Sequence, residues 1–158
     1  MTIGIDNGIT GGIVVLDSAG EVEATYTMPS RQGRLRKCID EVELKWILQY
    51  HGNQRVFYEC PAGARNHNAA VSMADSFARI QTVITLLQMD HQEVPPKTWQ
   101  AAYWKKKRGV NVDTKDIAIA VAAGIWPNIT FIPEGCTKPN TGLVDAALIA
   151  RWGMSQKI

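Results

Sequence analysis

Three acidic residues in this chain of 158 residues stand where a carboxylate can take part in chemistry. Asp6 ends the apolar run Thr2–Asp6 just before a glycine-rich turn, and Glu59 ends a second apolar run. Asp145 lies inside an apolar segment that has helical periodicity. No lysine or arginine stands within three positions of any of the three acids, so their charges have no partner nearby in the sequence.

A buried carboxylate without a partner costs several kcal/mol, so these three groups need a shared partner of opposite charge. A divalent cation would meet that need, and oxygen ligands favour Mg²⁺, with Mn²⁺ as a substitute, over zinc. Two such ions about 4 Å apart activate water and stabilise a leaving oxygen in phosphodiester hydrolysis. The sequence therefore predicts a hydrolytic site in which Asp6, Glu59 and Asp145 are both the metal ligands and the catalytic residues.

Each acid also has a structural explanation when it is considered alone. An aspartate before glycine often only forms a turn, which would account for Asp6. Glu59 can simply end a strand before Pro61, and Asp145 can lie on a partly exposed helix face. Two acids at strand ends and one within a helix, in this order of elements, favour a common site over three unrelated explanations.

Positioning these acids requires a sheet with helices packed on it. Short turns between strand-like segments indicate an antiparallel meander, which covers residues 2–6, 12–17 and 21–28. Gln54 to Cys60 is a further strand, and a helix before it allows the strands that end at Asp6 and Glu59 to lie in parallel. Both carboxylates then reach the crevice beyond the sheet. The predicted class is α/β, with a mixed sheet of about five strands flanked by helices.

Five helices are predicted from apolar periodicity and from helix stop signals, over residues 38–50, 71–89, 97–104, 113–124 and 143–152. The first should bury Ile39, Val42 and Trp46, and Asp113 should be the N-cap of the fourth. The second should bury a longer stripe, formed by Phe77, Ile80, Ile84 and Leu87. Residues 92–94 and 129–132 are candidates for short additional strands.

A run of four basic residues at positions 105–108 provides a second functional signal. Such a cluster binds backbone phosphates with an affinity that falls steeply with salt, although a solvated turn would have the same composition. Lys97, Lys115 and Lys138 are weaker candidates, one of which could stabilise charge near a scissile phosphate. The predicted nucleic-acid contacts are Arg65, Lys97, Lys105, Lys106, Lys107 and Arg108.

Composition narrows the classes of protein to consider. With 17 basic and 15 acidic residues the net charge is +2, so nucleic acid must be bound by local patches rather than by a global field. A hydrophobic fraction of 46% excludes a disordered chain. Three cysteines without metal-type spacing, a start unlike a signal peptide and no long apolar run lead us to expect a cytoplasmic protein with reduced thiols. We expect one domain over residues 1–158.

Around the three acids the chain resembles the RuvC family of Holliday junction resolvases, which has the ribonuclease H-like fold. The matching segments are residues 3–8 with Gly11 and Gly12, residues 57–59 and residues 144–148. Spacing and strand order are similar over nearly the whole chain, and the size resembles a phage-type member, which would act in the host cytoplasm. The resemblance implies a homodimeric endonuclease of DNA recombination and repair that cuts four-way or branched junctions with Mg²⁺, using two ions.

The sequence departs from the family's pattern at two places. Three of the family's four acidic ligands are matched, but Gly142 occupies the position of the fourth, three residues before Asp145. The family also often has an aromatic residue shortly after the strand-end glutamate, where this chain has Ala62 and Gly63, so a wedge between bases must come from elsewhere. The candidates for the fourth ligand are Asn140, Glu134, Asp113 and a water molecule.

Three other functions are compatible with parts of the sequence. A ribonuclease of the same fold, of the pre-16S ribosomal RNA type, would have the same layout of acids. A non-catalytic module that binds branched DNA would explain Gly142. The segment from Asp6 to Thr10 also resembles the phosphate loop of sugar kinases and actin-type ATPases, but those folds need two such lobes and therefore a much longer chain.

Overall fold

The structure, a computed structural model, describes residues 1–52, 54–61, 63, 66–105 and 113–156. Its strands are β1 (Thr2–Asp6), β2 (Gly12–Leu16), β3 (Val22–Thr27), β4 (Ser30–Gln32), β5 (Lys37–Ile39), β6 (Arg55–Glu59) and β7 (His91–Val94). Its helices are α1 (Glu41–Tyr50), α2 (His67–Leu86), α3 (Pro96–Gln100), α4 (Thr114–Ile125) and α5 (Thr141–Met154). No helix within these residues is both long and apolar enough to cross a membrane.

Five of the strands form one mixed sheet in the order β3-β2-β1-β6-β7. The β1–β2 and β2–β3 pairs are antiparallel, whereas β1–β6 and β6–β7 are parallel. Helix α1 lies between β3 and β6 in the sequence, as the predicted strand–helix–strand unit requires. The predicted α/β class and the mixed sheet of about five strands are confirmed.

Helices cover both faces of the sheet, so its central strands are buried throughout. Side chains that alternate along each strand enter two separate cores. Ile5, Ile13 and Tyr58 pack toward α1 and α2, where Ile80 and Ile84 of the predicted stripe are fully buried. The other face holds a core around α3, α4 and α5 that includes Val14, Phe57, Trp99, Ala147 and Leu148.

Helix α5 lies very close to β1 and β2 because glycines line the contact. A Cβ atom added at Gly4 would lie 2.6 Å from the backbone nitrogen of Ala150, and it would also overlap the carbonyl oxygen of Ala146. One added at Gly12 would lie 2.6 Å from the side chain of Leu143. Since these glycines carry no side chain, the backbone of α5 rests directly on the sheet.

The structure corrects two local predictions. Helix α1 begins at Glu41 rather than at residue 38, because Asp40 is its N-cap and accepts the backbone N–H groups of Val42 and Glu43. Of the three residues predicted to be buried on this helix, Ile39 is buried but belongs to β5, whereas Val42 is 79% exposed and Trp46 64% exposed. The residues of α1 that face the core are Leu44, Ile47 and Leu48. Residues 129–132 form no strand, and Phe131 has a φ of 53°, which interrupts extended backbone.

The remaining helix and strand predictions hold with small shifts of their ends. Helix α2 begins at His67, where Asn66 is the N-cap. Asp113 caps α4 as predicted, since its side chain accepts the backbone N–H of Lys115. Strand β7 confirms the short strand predicted at residues 92–94. The pair β4–β5 forms a separate two-stranded hairpin that the sequence analysis did not predict.

We expect Gly4→Ala to destabilise the protein by about 3 kcal/mol, because the added methyl group overpacks the contact between β1 and α5. The matched control is Gly124→Ala in α4, where an added Cβ would meet nothing within 4 Å. That substitution should leave stability unchanged or raise it slightly, because alanine favours the helix. Urea denaturation of both variants measures the difference, and equal stabilities would contradict the packing described here.

Candidate active site

The three predicted acids lie at one edge of the sheet and on the helix that covers it. Strands β1 and β6 are parallel neighbours with Ile5 opposite Tyr58, so Asp6 and Glu59 follow at the same level where the strands end. Asp145 lies in the second turn of α5, directly before Ala146, whose carbonyl oxygen approaches Gly4 of β1. The close contact between α5 and β1 therefore brings the third acid to the ends of the two strands.

Asp6, Glu59 and Asp145 lie close enough for their charges to affect one another. Burial raises the pKa of Asp6 well above its usual value, and repulsion from Glu59 and then Asp145 raises it further. Burial, followed by repulsion from Glu59, raises the pKa of Asp145 to about 7. The pKa of Glu59 is also raised by burial. All three keep partial access to solvent, so they line a cleft rather than a sealed cavity.

Lys115 contributes positive charge that acts on this cleft. It lies in the first turn of α4 with an exposed side chain, and its charge lowers the pKa of both Asp6 and Asp145 against the larger effects of burial. Within the described residues it forms no ion pair with either acid at 4.0 Å or less. Of the three lysines named as weaker candidates from the sequence, Lys115 is thus one whose charge reaches Asp6 and Asp145.

Trp99 is a residue of the site that the sequence analysis missed. Its side chain is fully buried, and its indole Nε1–H donates a hydrogen bond of 2.8 Å to Oε1 of Glu59. Its ring packs edge-on against Trp104 and Tyr103, and the hydroxyl of Tyr103 donates to the carbonyl oxygen of Leu148 in α5. The hydrogen bond lowers the pKa of Glu59 against the larger effect of burial. Trp99 therefore holds the carboxylate in place from the α5 side of the sheet.

Gly142 has no room for a side chain. A Cβ atom added there would lie 2.5 Å from the Cα of Gly11 and 2.6 Å from the carbonyl oxygen of Thr10. Gly11 and Gly142 pair as a short parallel bridge, so the turn between β1 and β2 occupies the space where a fourth acid would project. The backbone of the β1–β2 turn therefore excludes a side chain at position 142.

The residues considered as replacements for the fourth acid have other roles. Asn140 is the N-cap of α5, and its Oδ1 accepts the backbone N–H of Gly142 at 2.8 Å and that of Leu143 at 3.2 Å. Asp113 caps α4 in the same way. Glu134 lies on an exposed loop beside Thr25 and Glu43, where it lines a separate depression. The side chains of Asn140 and Asp113 are therefore engaged in capping helices.

The chemistry of this donor set fits an ion that prefers oxygen ligands. In the part of the chain that the structure describes, none of the three acids has an ion-pair partner within 4.0 Å. No three His, Cys, Asp or Glu side chains in that part are yet gathered as closely as a shared ion requires. A cation bound between the carboxylates would offset their mutual repulsion as they closed on it, and a Mg²⁺-class ion suits their oxygens.

The predicted nucleic-acid contacts are only partly visible. Arg65, Lys106, Lys107 and Arg108 lie outside the described residues. Lys97 and Lys105 are described and exposed, and together with Trp104 they line a depression of about 340 Å³. A second depression, of about 350 Å³, lies next to Asp6 between the β1–β2 turn and the first half of α2. The second depression therefore provides open surface directly beside Asp6.

Comparison with solved structures identifies the fold. No protein-family model matches the sequence, and no curated protein matches it. The chain is similar to RuvC of Thermus thermophilus in complex with a Holliday junction substrate, with a TM-score of 0.63, 16% identity, and coverage of 95% of this chain and 90% of that one. A second Thermus thermophilus RuvC structure matches with a TM-score of 0.57 at the same identity and coverage. The chain has a RuvC-like fold, as its motifs predicted.

Asp145→Asn should stabilise the metal-free protein at pH 8 by on the order of 1–3 kcal/mol and leave it unchanged at pH 4. The folded-state pKa of Asp145 is raised from 3.8 to about 7, so folding favours the protonated form. This contribution to stability is complete below pH 4 and is lost as the pH rises through about 7. Thermal unfolding in EDTA measures this change in stability. The control is Glu134→Gln, which removes an exposed acid. An unchanged or lower midpoint for the Asp145 variant at pH 8 would contradict the repulsion.

We expect that Gly142→Asp, which restores an acid at the fourth position, will lower stability instead of completing the site. Its Cβ would press on the backbone of Thr10 and Gly11, which cannot rotate away as a side chain can, at a cost of about 1–3 kcal/mol. Gly142→Ala should lose a similar amount, because the methyl group and not the charge causes the loss. Unfolding midpoints of the two variants test this, and a fully stable Gly142→Asp protein would show that the turn yields.

Proposed function

We propose that this chain is a structure-specific endonuclease that resolves four-way (Holliday) or other branched DNA junctions by metal-dependent phosphodiester hydrolysis. The observation that carries the proposal is the position of Asp6 and Glu59 at the carboxyl ends of neighbouring parallel strands in a RuvC-like fold, within electrostatic reach of Asp145 on α5. The similar Thermus thermophilus protein was solved with a Holliday junction substrate, which supports this class of nucleic acid over others.

The three carboxylates would hold Mg²⁺, with two ions as the proposed number and Mn²⁺ as a substitute. Ions bound there would supply activation of water for attack on phosphorus and stabilisation of the leaving oxygen. Asp6 and Glu59 come from fixed strand ends and Asp145 from a helix packed on glycines, so the backbone fixes the points from which the three side chains extend. The side chains would close on an ion from these fixed points.

Two neighbouring side chains would assist these acids. Lys115 lies where its charge acts on Asp6 and Asp145, and it would offset the negative charge that develops on the scissile phosphate. Trp99 fixes one oxygen of Glu59 through its indole N–H, so the carboxylate keeps one orientation. We propose Lys115 as an electrostatic contributor and Trp99 as a positioning residue.

DNA contacts would extend the site along the surface. Lys97 and Lys105 border the depression beside α3, and the basic run that continues from Lys105 would hold backbone phosphates of the junction arms. We propose that Arg65 contributes from the loop after Glu59. Symmetric cutting of two strands needs two active sites, so we also propose a homodimer of one nuclease domain per chain.

Asp6→Asn should lower the rate of junction nicking by more than about 100-fold, since losing a direct ligand should exceed the 10–100-fold loss seen for outer-shell partners. Junction binding should stay within about threefold of the unchanged protein, because the substitution removes negative charge. The assay compares a four-way DNA junction, a linear duplex and a structured RNA, each with Mg²⁺, Mn²⁺ or EDTA.

The matched control is Asp116→Asn, which alters an exposed acid in the first turn of α4 and should nick normally. Full activity of Asp6→Asn would refute the proposed site. Cleavage of the RNA in preference to the junction would replace the proposed substrate with RNA, and junction binding without nicking in either metal would favour a non-catalytic module.

A further inference from the structure

The hairpin of residues 30–39, formed by β4, its turn and β5, leaves the sheet at the same edge as the three acids. Asp6 pairs with Gly12 across the β1–β2 ladder, and Gly12 pairs with Thr27 across the β2–β3 ladder. Thr27 therefore lies two strands away from Asp6, a distance of about 10 Å. The backbone N–H of Met28 donates to Gly11 of the β1–β2 turn at 3.1 Å, and the hairpin starts two residues later.

The base of this hairpin is firmly attached to the rest of the fold. Cys38 and Ile39 are buried, and the backbone N–H of Asp40 donates to the carbonyl oxygen of Pro29 at 3.0 Å. Arg31 forms an ion pair of 3.0 Å with Glu41 of α1. Glu41 in turn pairs with Arg79 of α2, and Arg79 with Asp75. This network ties the hairpin to both helices on its side of the sheet.

The outer part of the hairpin presents positive charge that no acidic side chain of the described residues pairs with. Arg34, Arg36 and Lys37 are exposed, and the turn between the strands is closed by a hydrogen bond of 2.9 Å from Gly33 N–H to the carbonyl oxygen of Arg36. In the described residues, Arg31 is the hairpin cation that has an acidic partner within 4.0 Å. The other three are available to a partner of opposite charge.

Leu35 lies at the tip of the hairpin between Arg34 and Arg36. It is 93% exposed, more than Leu86, which at 77% is another strongly exposed leucine of the described chain. An apolar tip between two arginines is suited to nucleic acid, because the cations hold phosphates while the apolar side chain enters a base step. A branch point supplies bases whose stacking is already interrupted, so entry there costs less than in continuous duplex.

We infer that the β4–β5 hairpin is a DNA-contacting arm of the site, with Arg34, Arg36 and Lys37 on backbone phosphates and Leu35 against the bases at the branch point. The inference rests on the proposed function for the choice of junction DNA as partner. The arm is a second contact surface besides the one proposed around Lys105. In the sheet it lies on the β3 side of Asp6, whereas Glu59 lies on the β6 side.

The test of the charges uses the Asp6→Asn protein, so that binding is measured without cleavage. Adding Arg34→Ala and Arg36→Ala should weaken binding to both junction and duplex and should reduce the slope of log affinity against log salt by about 1.8, or 0.9 for each lost phosphate contact. The control Lys45→Ala, an exposed lysine of α1, should keep the slope. A slope unchanged by the double substitution, or changed only with structured RNA, would overturn the inference.

The test of the tip uses junctions that carry 2-aminopurine at the branch point. Binding of the Asp6→Asn protein should raise the fluorescence. Adding Leu35→Ala should remove at least half of that rise. Adding Leu86→Ala, at the last residue of α2, should keep the full rise. Equal signals for the two leucine variants would overturn the role of Leu35.

The two proposals can fail separately in these experiments. Binding that depends on Arg34 and Arg36 while the unchanged protein nicks nothing would refute the proposed function and keep the arm. Normal nicking by the unchanged protein, together with a salt slope that the two arginine substitutions do not alter, would refute the arm and keep the function. Absence of any DNA binding by the Asp6→Asn protein would refute both.

Discussion

Contact between the backbone of α5 and the strands beneath it is the constraint on which the rest of the structure depends. Gly4 and Gly12 leave the space that the backbone of this helix fills, and Gly142 meets the β1–β2 turn in the same way. A side chain at any of these positions would lift the helix away from the sheet. Asp145 lies on that helix, so it comes near Asp6 only because glycine occupies these three positions.

This packing offsets an electrostatic cost. Burial raises the pKa of all three carboxyl groups, and repulsion between the acids raises the pKa of Asp6 and Asp145 further, so it is unfavourable to ionise all three together. The apolar cores on both faces of the sheet hold the strand ends and the helix together against that repulsion. Trp99 adds a directed hydrogen bond, and Lys115 adds a positive charge at the rim. The scaffold thus carries a charge arrangement that bare carboxylates would not adopt.

The sequence was sufficient to predict what depends on regular periodicity. Apolar alternation located β1 and β6, and their parallel arrangement then placed Asp6 and Glu59 at one edge. An acid within an apolar helix indicated Asp145. Contacts between distant side chains left no local pattern, so Trp99 was not recognised as a partner of Glu59. The hairpin was missed because each of its strands has three residues and a basic composition typical of loops. The core-facing side of α1 was assigned wrongly because the helix has two apolar faces, and the buried one holds Leu44, Ile47 and Leu48 rather than Val42 and Trp46.

The bridge between Gly11 and Gly142 has an evolutionary consequence. A Cβ atom at Gly142 would press on the backbone of Gly11, and one at Gly11 would overlap the carbonyl oxygen of Asp6, so neither position accepts a side chain while the turn keeps this shape. A lineage could exchange this arrangement for one with an acid on the helix only by reshaping the loop and the helix together, through intermediates that fold less well. Related sequences would then fall into two groups, each with its own matched pair, and few would mix them.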